Sequence, residues 1–134
     1  MSVQNIPQNL RYTKTHEWVQ DLSGGRVRVG LTDHAQHELG DIVFVNLSEP
    51  GDAVQAGGRL ADVESVKAVS DVYSPVGGTV AAINEALLDD PAGINADAYG
   101  AWLAELSDVQ GDPGAGLLSA EAYAALLAAS DGGA

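Results

Sequence analysis

Glycine and proline interrupt this chain too often for a long helix to run through its middle. Turn signals stand at Ser23–Gly25, Gly40, Pro50–Gly51, Gly57–Gly58 and Pro75–Gly78. A helix interior loses about 1 kcal/mol at a glycine and about 3 kcal/mol at a proline. The runs between these signals are short and rich in β-branched residues: RVRVGLT, IVFVNL, LADVES, VSDVY and TVAAI. Short strands separated by regular turns describe a small β-sandwich or flattened barrel. The glycine-rich bends near 51, 57 and 77 fall where strands must change sheets.

The individual elements follow from local pattern. LRYTKTHEWVQDL reads as one strand, with Tyr12, Thr13, Thr15, Trp18 and Val19 as its strand-forming residues. Beyond the Ser23–Gly25 turn, Val27, Val29 and Leu31 alternate onto one face and complete a hairpin. TDHAQHELGD changes period. Asp33 is placed to cap a helix of two turns, with Gln36 three residues on and Gly40 at the end. Residues 42–47 read as a buried strand, and 48–58 as a loop with at least one turn. Residues 79–83 read as a strand, and 88–102 as loop-rich, with a last strand in AWLAEL. A Gly/Asp/Pro connector over 107–118 leads to a C-terminal helix over 119–130. Ser119 caps it, and Tyr123, Leu126 and Leu127 form its buried stripe.

At 134 residues the chain fits one domain, 1–134, with residues 1–9 as a flexible N-terminal segment. It has no cysteine, which excludes disulfides, thiolate metal sites and cysteine nucleophiles together. A net charge of −13 makes nucleic acid and anionic membranes poor partners. The same charge favours solubility and steering toward basic protein surfaces. No apolar run reaches membrane-spanning length, and residues 1–9 carry neither a basic nor an apolar targeting region. The chain therefore reads as cytoplasmic.

Against that acidic background one residue stands apart. From Leu60 to Ala134, Lys67 is the only Lys or Arg among twelve Asp and Glu. It lies in ADVESVKAVSDVYSPVGGTV, which reads as strand, turn and strand. With Val66 and Lys67 at the centre of a two-residue turn, Ser65 faces Ala68, Glu64 faces Val69, and Asp62 faces Asp71. The last pair sets like charges opposite each other, which is mildly destabilising. A turn lysine is ordinarily a solubilising residue. Here small or β-branched flanks and valine-rich strands hold it rigidly outward, as a modifying enzyme requires. The sequence Val66-Lys67 lacks the Asn-Gly preference of a type I′ turn, so a type I turn with a bulge, or a longer loop, is open.

His34 and His37 stand three apart on the short helix, and His16 precedes Glu17. Helical histidine pairs can bind zinc, but no HExxH or further ligand spacing accompanies them, so they are assigned structural or surface roles and no metal is expected. There is likewise no phosphate-cradling glycine loop and no nucleophile motif.

VESVKAVSDVYSPVGG, with HEWV upstream, GLTDHAQHELGDIVFVNLSEPG between and the AYGAWL region after, closely resembles the H-protein family of the glycine cleavage system. The resemblance runs from about Leu10 to Leu106. It implies a mainly β lipoyl-type barrel-sandwich hybrid with a short internal helix and a C-terminal helix. It implies a monomeric carrier that is not an enzyme, with lipoate in amide linkage on Lys67. Such a carrier takes the aminomethyl group of glycine from a pyridoxal-phosphate glycine decarboxylase to a folate-dependent aminomethyltransferase. A flavin-containing dihydrolipoyl dehydrogenase then reoxidises it, and a lipoate-attaching enzyme loads it at the outset. The resemblance further implies a surface cleft for the loaded arm, with Thr15, Glu17 and Asp71 at matching positions. Related readings are an H-like protein that relays lipoate to other lipoyl domains or serves sulfur oxidation. A biotinyl carrier is a reading of another class, but biotin-acceptor hairpins typically flank the lysine with methionines, and Val66 and Ala68 stand here. The chain departs from the family pattern at Ala98, where proline is usual, at Ala101, where glycine is usual, and at Glu105, where a basic residue is usual.

Overall fold

The computed structural model describes residues 6–110, 114 and 116–132. The chain begins with β1 (Arg11–Tyr12), β2 (Glu17–Ser23) and β3 (Arg26–Leu31), followed by helix α1 (Asp33–Leu39). Then come β4 (Ile42–Leu47), β5 (Ala53–Val54), β6 (Arg59–Ser65), β7 (Val69–Tyr73) and β8 (Gly78–Ile83). Two single-turn helices, α2 (Ala86–Asp89) and α3 (Gly93–Ala96), precede β9 (Ala104–Ser107) and the long α4 (Ala120–Gly132). A six-stranded sheet in the order β1-β2-β3-β9-β8-β5 faces a three-stranded sheet in the order β4-β6-β7. Every pairing is antiparallel. The two sheets stay separate, so the architecture is mainly β and sandwich-like, with the internal and C-terminal helices expected from sequence.

Alternation fills the space between the layers. Val27, Val29 and Leu31 of β3 are all buried, as their spacing requires. Val45, Val63 and Val72 from the smaller sheet meet Leu31, Leu87, Ile94 and Leu103 in one core cluster. Leu60, Val80 and Leu106 join Val19, Val27 and Val29 in a second. A third cluster lies under α4, where Tyr123 and Leu127 pack on Leu10, Tyr12 and Trp18. Gly30 is obligatory in this packing, because a Cβ there would come within 2.6 Å of the Trp18 ring.

Several elements differ from the sequence expectation. The first strand is broken: residues 13–16 form a turn, with His16 at φ 72°. Its backbone closes through the N–H of His16 to Thr13 O at 3.2 Å and the N–H of Thr13 to Glu17 O at 3.0 Å. The cap of α1 is Thr32 rather than Asp33. Thr32 has extended dihedrals, and its hydroxyl accepts the N–H of Ala35 at 3.2 Å. Asp33 is the first helical residue and receives the side-chain amide of Gln36 at 2.8 Å. Strand β4 is not buried throughout, since Val43, within a register shift between Ile42 and Phe44, and Phe44 itself are both exposed. The 48–58 loop contains β5, and the 88–102 region contains the end of α2 and all of α3.

The C-terminal helix starts where expected: Ser119 Oγ accepts the N–H of Ala122 at 3.1 Å. Of the N-terminal segment 1–9, residues 1–5 lie outside the described residues. Ile6 packs on the third cluster, and Pro7 O accepts the Tyr12 hydroxyl at 2.6 Å. Within the connector, 111–113 and 115 also lie outside the described residues. No described helix is long and apolar enough to cross a membrane.

Candidate functional site

The β6–β7 hairpin adopts the register its sequence predicts. Glu64 pairs with Val69, Val63 with Ser70 and Asp62 with Asp71. The N–H of Ser65 reaches Ala68 O at 2.8 Å, closing a two-residue turn on Val66 and Lys67. Neither residue has positive φ, which excludes type I′. The turn is held instead by Ser65, whose hydroxyl oxygen accepts the N–H groups of Lys67 at 3.2 Å and Ala68 at 3.1 Å. A third tether runs to the preceding loop, where the N–H of Val66 reaches Asp41 O at 3.0 Å. The tip is therefore fixed from both sides while Lys67 itself remains exposed.

Lys67 forms no ion pair among the described residues. Its stem lies near the C-terminal cap of α1: a Cβ on Gly40 would stand 3.5 Å from Lys67 Cε. Gly40 has φ 79° and its N–H caps Gln36 O, so glycine ends the helix here and leaves room for the stem. Asn95 of α3 locks the same corner. Its amide nitrogen donates to Gly40 O at 2.9 Å, and its amide oxygen accepts the N–H of Ile42 at 2.9 Å.

Next to this corner lies a cavity of about 310 Å³ between α1 and β7. Its polar lining comes from Thr15, His16, His34, Glu38, Ser70 and Asp71, and its apolar lining includes Leu31 and Leu39. Two of the three cleft residues expected from sequence, Thr15 and Asp71, thus share one cavity. Glu17 does not line it. That side chain is 1% exposed and sits behind Thr15. Its Oε1 accepts the hydroxyls of Thr15 at 2.5 Å and Thr13 at 2.6 Å, and its Oε2 accepts the N–H of Tyr73 at 3.4 Å. Burial pushes its pKa above the ordinary glutamate value, and the three donors pull against that shift. Because Thr15 gives its proton to Glu17, its oxygen is free to accept from a donor in the cavity.

The awkward Asp62–Asp71 pair has a partner within the chain. Arg59 Nη1 stands 3.8 Å from Asp62 Oδ2 and 3.7 Å from Asp71 Oδ1. Asn46 also donates to Asp62 at 3.3 Å. Arg59 thus relieves the repulsion from between the two carboxylates, while Asp71 stays partly exposed and also lines the cavity.

The histidines divide by position. His37 is exposed on α1. His16 and His34 lie with ring centroids 4.6 Å apart at the cavity. His16 Nδ1 is 2.8 Å from the Tyr123 hydroxyl, which is 2.8 Å from Thr32 Oγ1. Thr32 donating to Tyr123, and Tyr123 to His16, satisfies all three groups if His16 is neutral. Burial, then His34, lowers the His16 pKa and favours that form. Among the described residues no three His, Asp or Glu side chains converge to hold a metal.

Sequence reasoning missed the α1 wall of the cavity. The available signal was His34 and Glu38, four apart and hence on one helix face. The departures near the C-terminus are locally satisfied. Ala98 O accepts the Trp18 indole N–H at 3.1 Å, and Ala101 is buried in the first core cluster. Glu105 pairs with Arg26 at 2.6 Å and Arg28 at 3.3 Å, while Arg28 also lies 4.6 Å over the Trp102 ring.

The family model described as glycine cleavage H-protein matches residues 10–130 of the chain. A glycine cleavage system H protein of Burkholderia vietnamiensis is 51% identical over 123 residues, covering 92% of this chain and 98% of its own length. One from a Psychrobacter species is 52% identical over 124 residues, with coverage of 92% and 98%. The crystal structure of a glycine cleavage system H protein from Mycobacterium marinum superposes with a TM-score of 0.79 at 40% identity. That superposition covers 96% of this chain and 100% of the other.

Proposed function

Because the chain belongs to the glycine cleavage H-protein family, a family of carriers rather than catalysts, we propose that it carries lipoate on Lys67. The observation that bears most weight is the position of that amine: exposed, outside any ion pair among the described residues, and mounted on a turn tethered at Ser65 and Asp41. A lipoate-attaching enzyme needs an unencumbered nucleophilic nitrogen on a fixed tip, and this hairpin supplies one. Acylation replaces the ammonium with a neutral amide. When attached, the lipoyl group supplies two sulfurs that accept an aminomethyl group with two electrons and later give both up.

In this reading the partners are the pyridoxal-phosphate glycine decarboxylase, the tetrahydrofolate-dependent aminomethyltransferase and the FAD-containing dihydrolipoyl dehydrogenase. The aminomethyl group passes from the first to the second, and the third restores the disulfide. Family membership sets aside the biotinyl carrier. The charge and composition remain consistent with work in the cytoplasm.

The chain's own residues would guard the loaded arm. The end of the Lys67 side chain lies beside Gly40, which follows the cavity-lining Leu39. An arm folded into that cavity brings a terminal ammonium to the Asp71 carboxylate and the Thr15 oxygen, with Glu17 holding Thr15 in place from behind. Leu31 and Leu39 displace water from the remaining wall.

Co-production with a lipoate-attaching enzyme tests the assignment. Intact mass should show one lipoyl adduct, and peptide mapping should place it on Lys67. Lys67→Arg should fold with unchanged melting, since exposed turn substitutions stay within ~0.5 kcal/mol. It should show no adduct and no glycine decarboxylation coupling. Coupling by the arginine variant at the wild-type rate overturns the assignment.

A further inference from the structure

The outer face of the three-stranded sheet carries large apolar side chains that the fold does not use. Phe44, Glu64 and Val69 occupy one rung across β4, β6 and β7. Phe44 is 51% exposed and Val69 67% exposed. Val43 precedes Phe44, and Val66 on the turn is also 67% exposed. Soluble chains seldom leave such side chains contiguous and open unless something binds there. They belong to none of the core clusters among the described residues, and Lys67 follows Val66 on the turn.

Acidic groups surround this patch. Glu64 lies within the rung itself, Asp62 and Asp71 occupy the next rung, and Asp41 adjoins the turn. An apolar centre with a charged rim is the usual anatomy of a reversible protein interface. The rim's sign selects the partner. A second copy would oppose acid to acid across a chain of net charge −13, and an anionic lipid surface would do the same. A protein with an apolar recess bordered by Lys and Arg complements both features.

We propose that this face, centred on Phe44 and Val69, is the docking surface for the enzymes that act on the Lys67 arm. Each such partner presents an apolar active-site mouth rimmed by basic side chains. The proposal rests on the carrier reading above and adds where the partners bind. The apolar centre governs how long a complex lasts, and the acidic rim governs how fast it forms. Because Lys67 stands on the turn at the end of the patch, docking and insertion of the arm occur in one approach.

The test uses the full chain, free lipoate and a lipoate-attaching enzyme. Phe44→Thr/Val69→Thr removes the apolar centre and places at both positions a β-branched side chain suited to strands. The KM for the carrier should rise at least about tenfold (~1.4 kcal/mol of binding), with kcat within about twofold of wild type. Val69→Thr alone, a milder change for the fold, should raise KM by about two- to fivefold. Thermal melting of both variants should remain cooperative. Wild-type KM in both variants overturns the docking surface while leaving the carrier reading standing. Absence of any adduct on wild-type Lys67 overturns the carrier reading and the docking surface with it. Sedimentation should show a monomer for each protein. A wild-type dimer that the double variant dissolves would make the face an interface between copies instead. Binding of the wild type, but not the double variant, to phosphatidylserine vesicles would likewise overturn the assignment in favour of a lipid surface.

Discussion

Asp71 and Glu17 are carboxylates with different neighbours, and their substitutions separate contact from support. Asp71 is about 43% exposed and reaches the cavity; Glu17 is enclosed and touches only the chain's own donors. Charge-assisted hydrogen bonds contribute ~1.5–3 kcal/mol when shielded, and partial exposure of Asp71 reduces that. Asp71→Asn should therefore speed loss of the aminomethyl group from the loaded arm by about tenfold, taking ~1.4 kcal/mol per decade. Glu17→Gln should act less on that rate and more on stability, because it replaces an acceptor that two hydroxyls and an N–H address. The assay loads the carrier with labelled glycine, removes the decarboxylase and follows formaldehyde and ammonia without folate. Equal decay in Asp71→Asn and wild type would remove Asp71 from the guarding role.

The half-buried His16 gives the protein a pH signature. Its pKa is lowered by burial and by His34, so the folded chain binds fewer protons there than the unfolded chain does. Stability from this group is complete above the ordinary histidine value of ~6.5 and is lost as pH falls through the depressed folded value. Glu17 has the opposite sign, since burial raises its pKa; its contribution is present below the ordinary glutamate value and is lost as pH rises through the folded one. Urea unfolding of wild type should thus show stability rising with pH just below 6.5, and His16→Gln should flatten that rise. An unchanged slope in the variant would show that His16 is not the responsible group.

At the scale of elements, the Tyr123 hydroxyl joins three parts of the structure. It contacts His16 in the β1–β2 turn and Thr32 at the start of α1, while its ring stacks on Tyr12 with centroids 4.7 Å apart. Tyr123→Phe keeps the stack and removes both polar contacts. Leaving buried polar groups without partners costs ~1–3 kcal/mol, so the urea midpoint should fall by that equivalent with an unchanged m-value. A midpoint within error of wild type would mean that His16 and Thr32 find other partners. The same residues show what sequence could and could not disclose. The hairpin register was readable because alternation fixes which side chains face inward, and Val63 and Val72 leave little choice. Ser119 was readable as a cap because nothing competes with it. Thr32 was missed because Asp33 is an equally good cap by type; the choice was made by Tyr123, ninety-one residues away, holding the Thr32 hydroxyl. Strand β4 was misread because an apolar run looks the same whether a core or a partner covers it. The break at residues 13–16 depends on a positive φ at His16, which residue type does not signal. Lys67 was legible from its isolation in an acidic field, whereas the α1 wall needed the third dimension.

For the molecule as a whole, the charge of −13 acts before contact. Association with the decarboxylase should slow as salt rises, by about tenfold or more between low and high ionic strength, since steering can raise on-rates by ~10–10³ and the Debye length shrinks to ~3 Å at 1 M. Stopped-flow binding should place the effect in the association rate, with dissociation little changed; a salt-independent association rate would leave no role for the acidic surface. A last consequence belongs to the Lys67 side chain, which rises from the turn of the β6–β7 hairpin and ends beside Gly40, near the cavity. One root serving two destinations cannot serve both at once. If Lys67 carries the proposed arm, a copy with that arm folded away is shielded but idle, and a copy engaged by one enzyme is closed to the others. On that reading the partners queue. Supplying one of them in excess would lower the throughput of the whole cycle by holding carriers away from the rest.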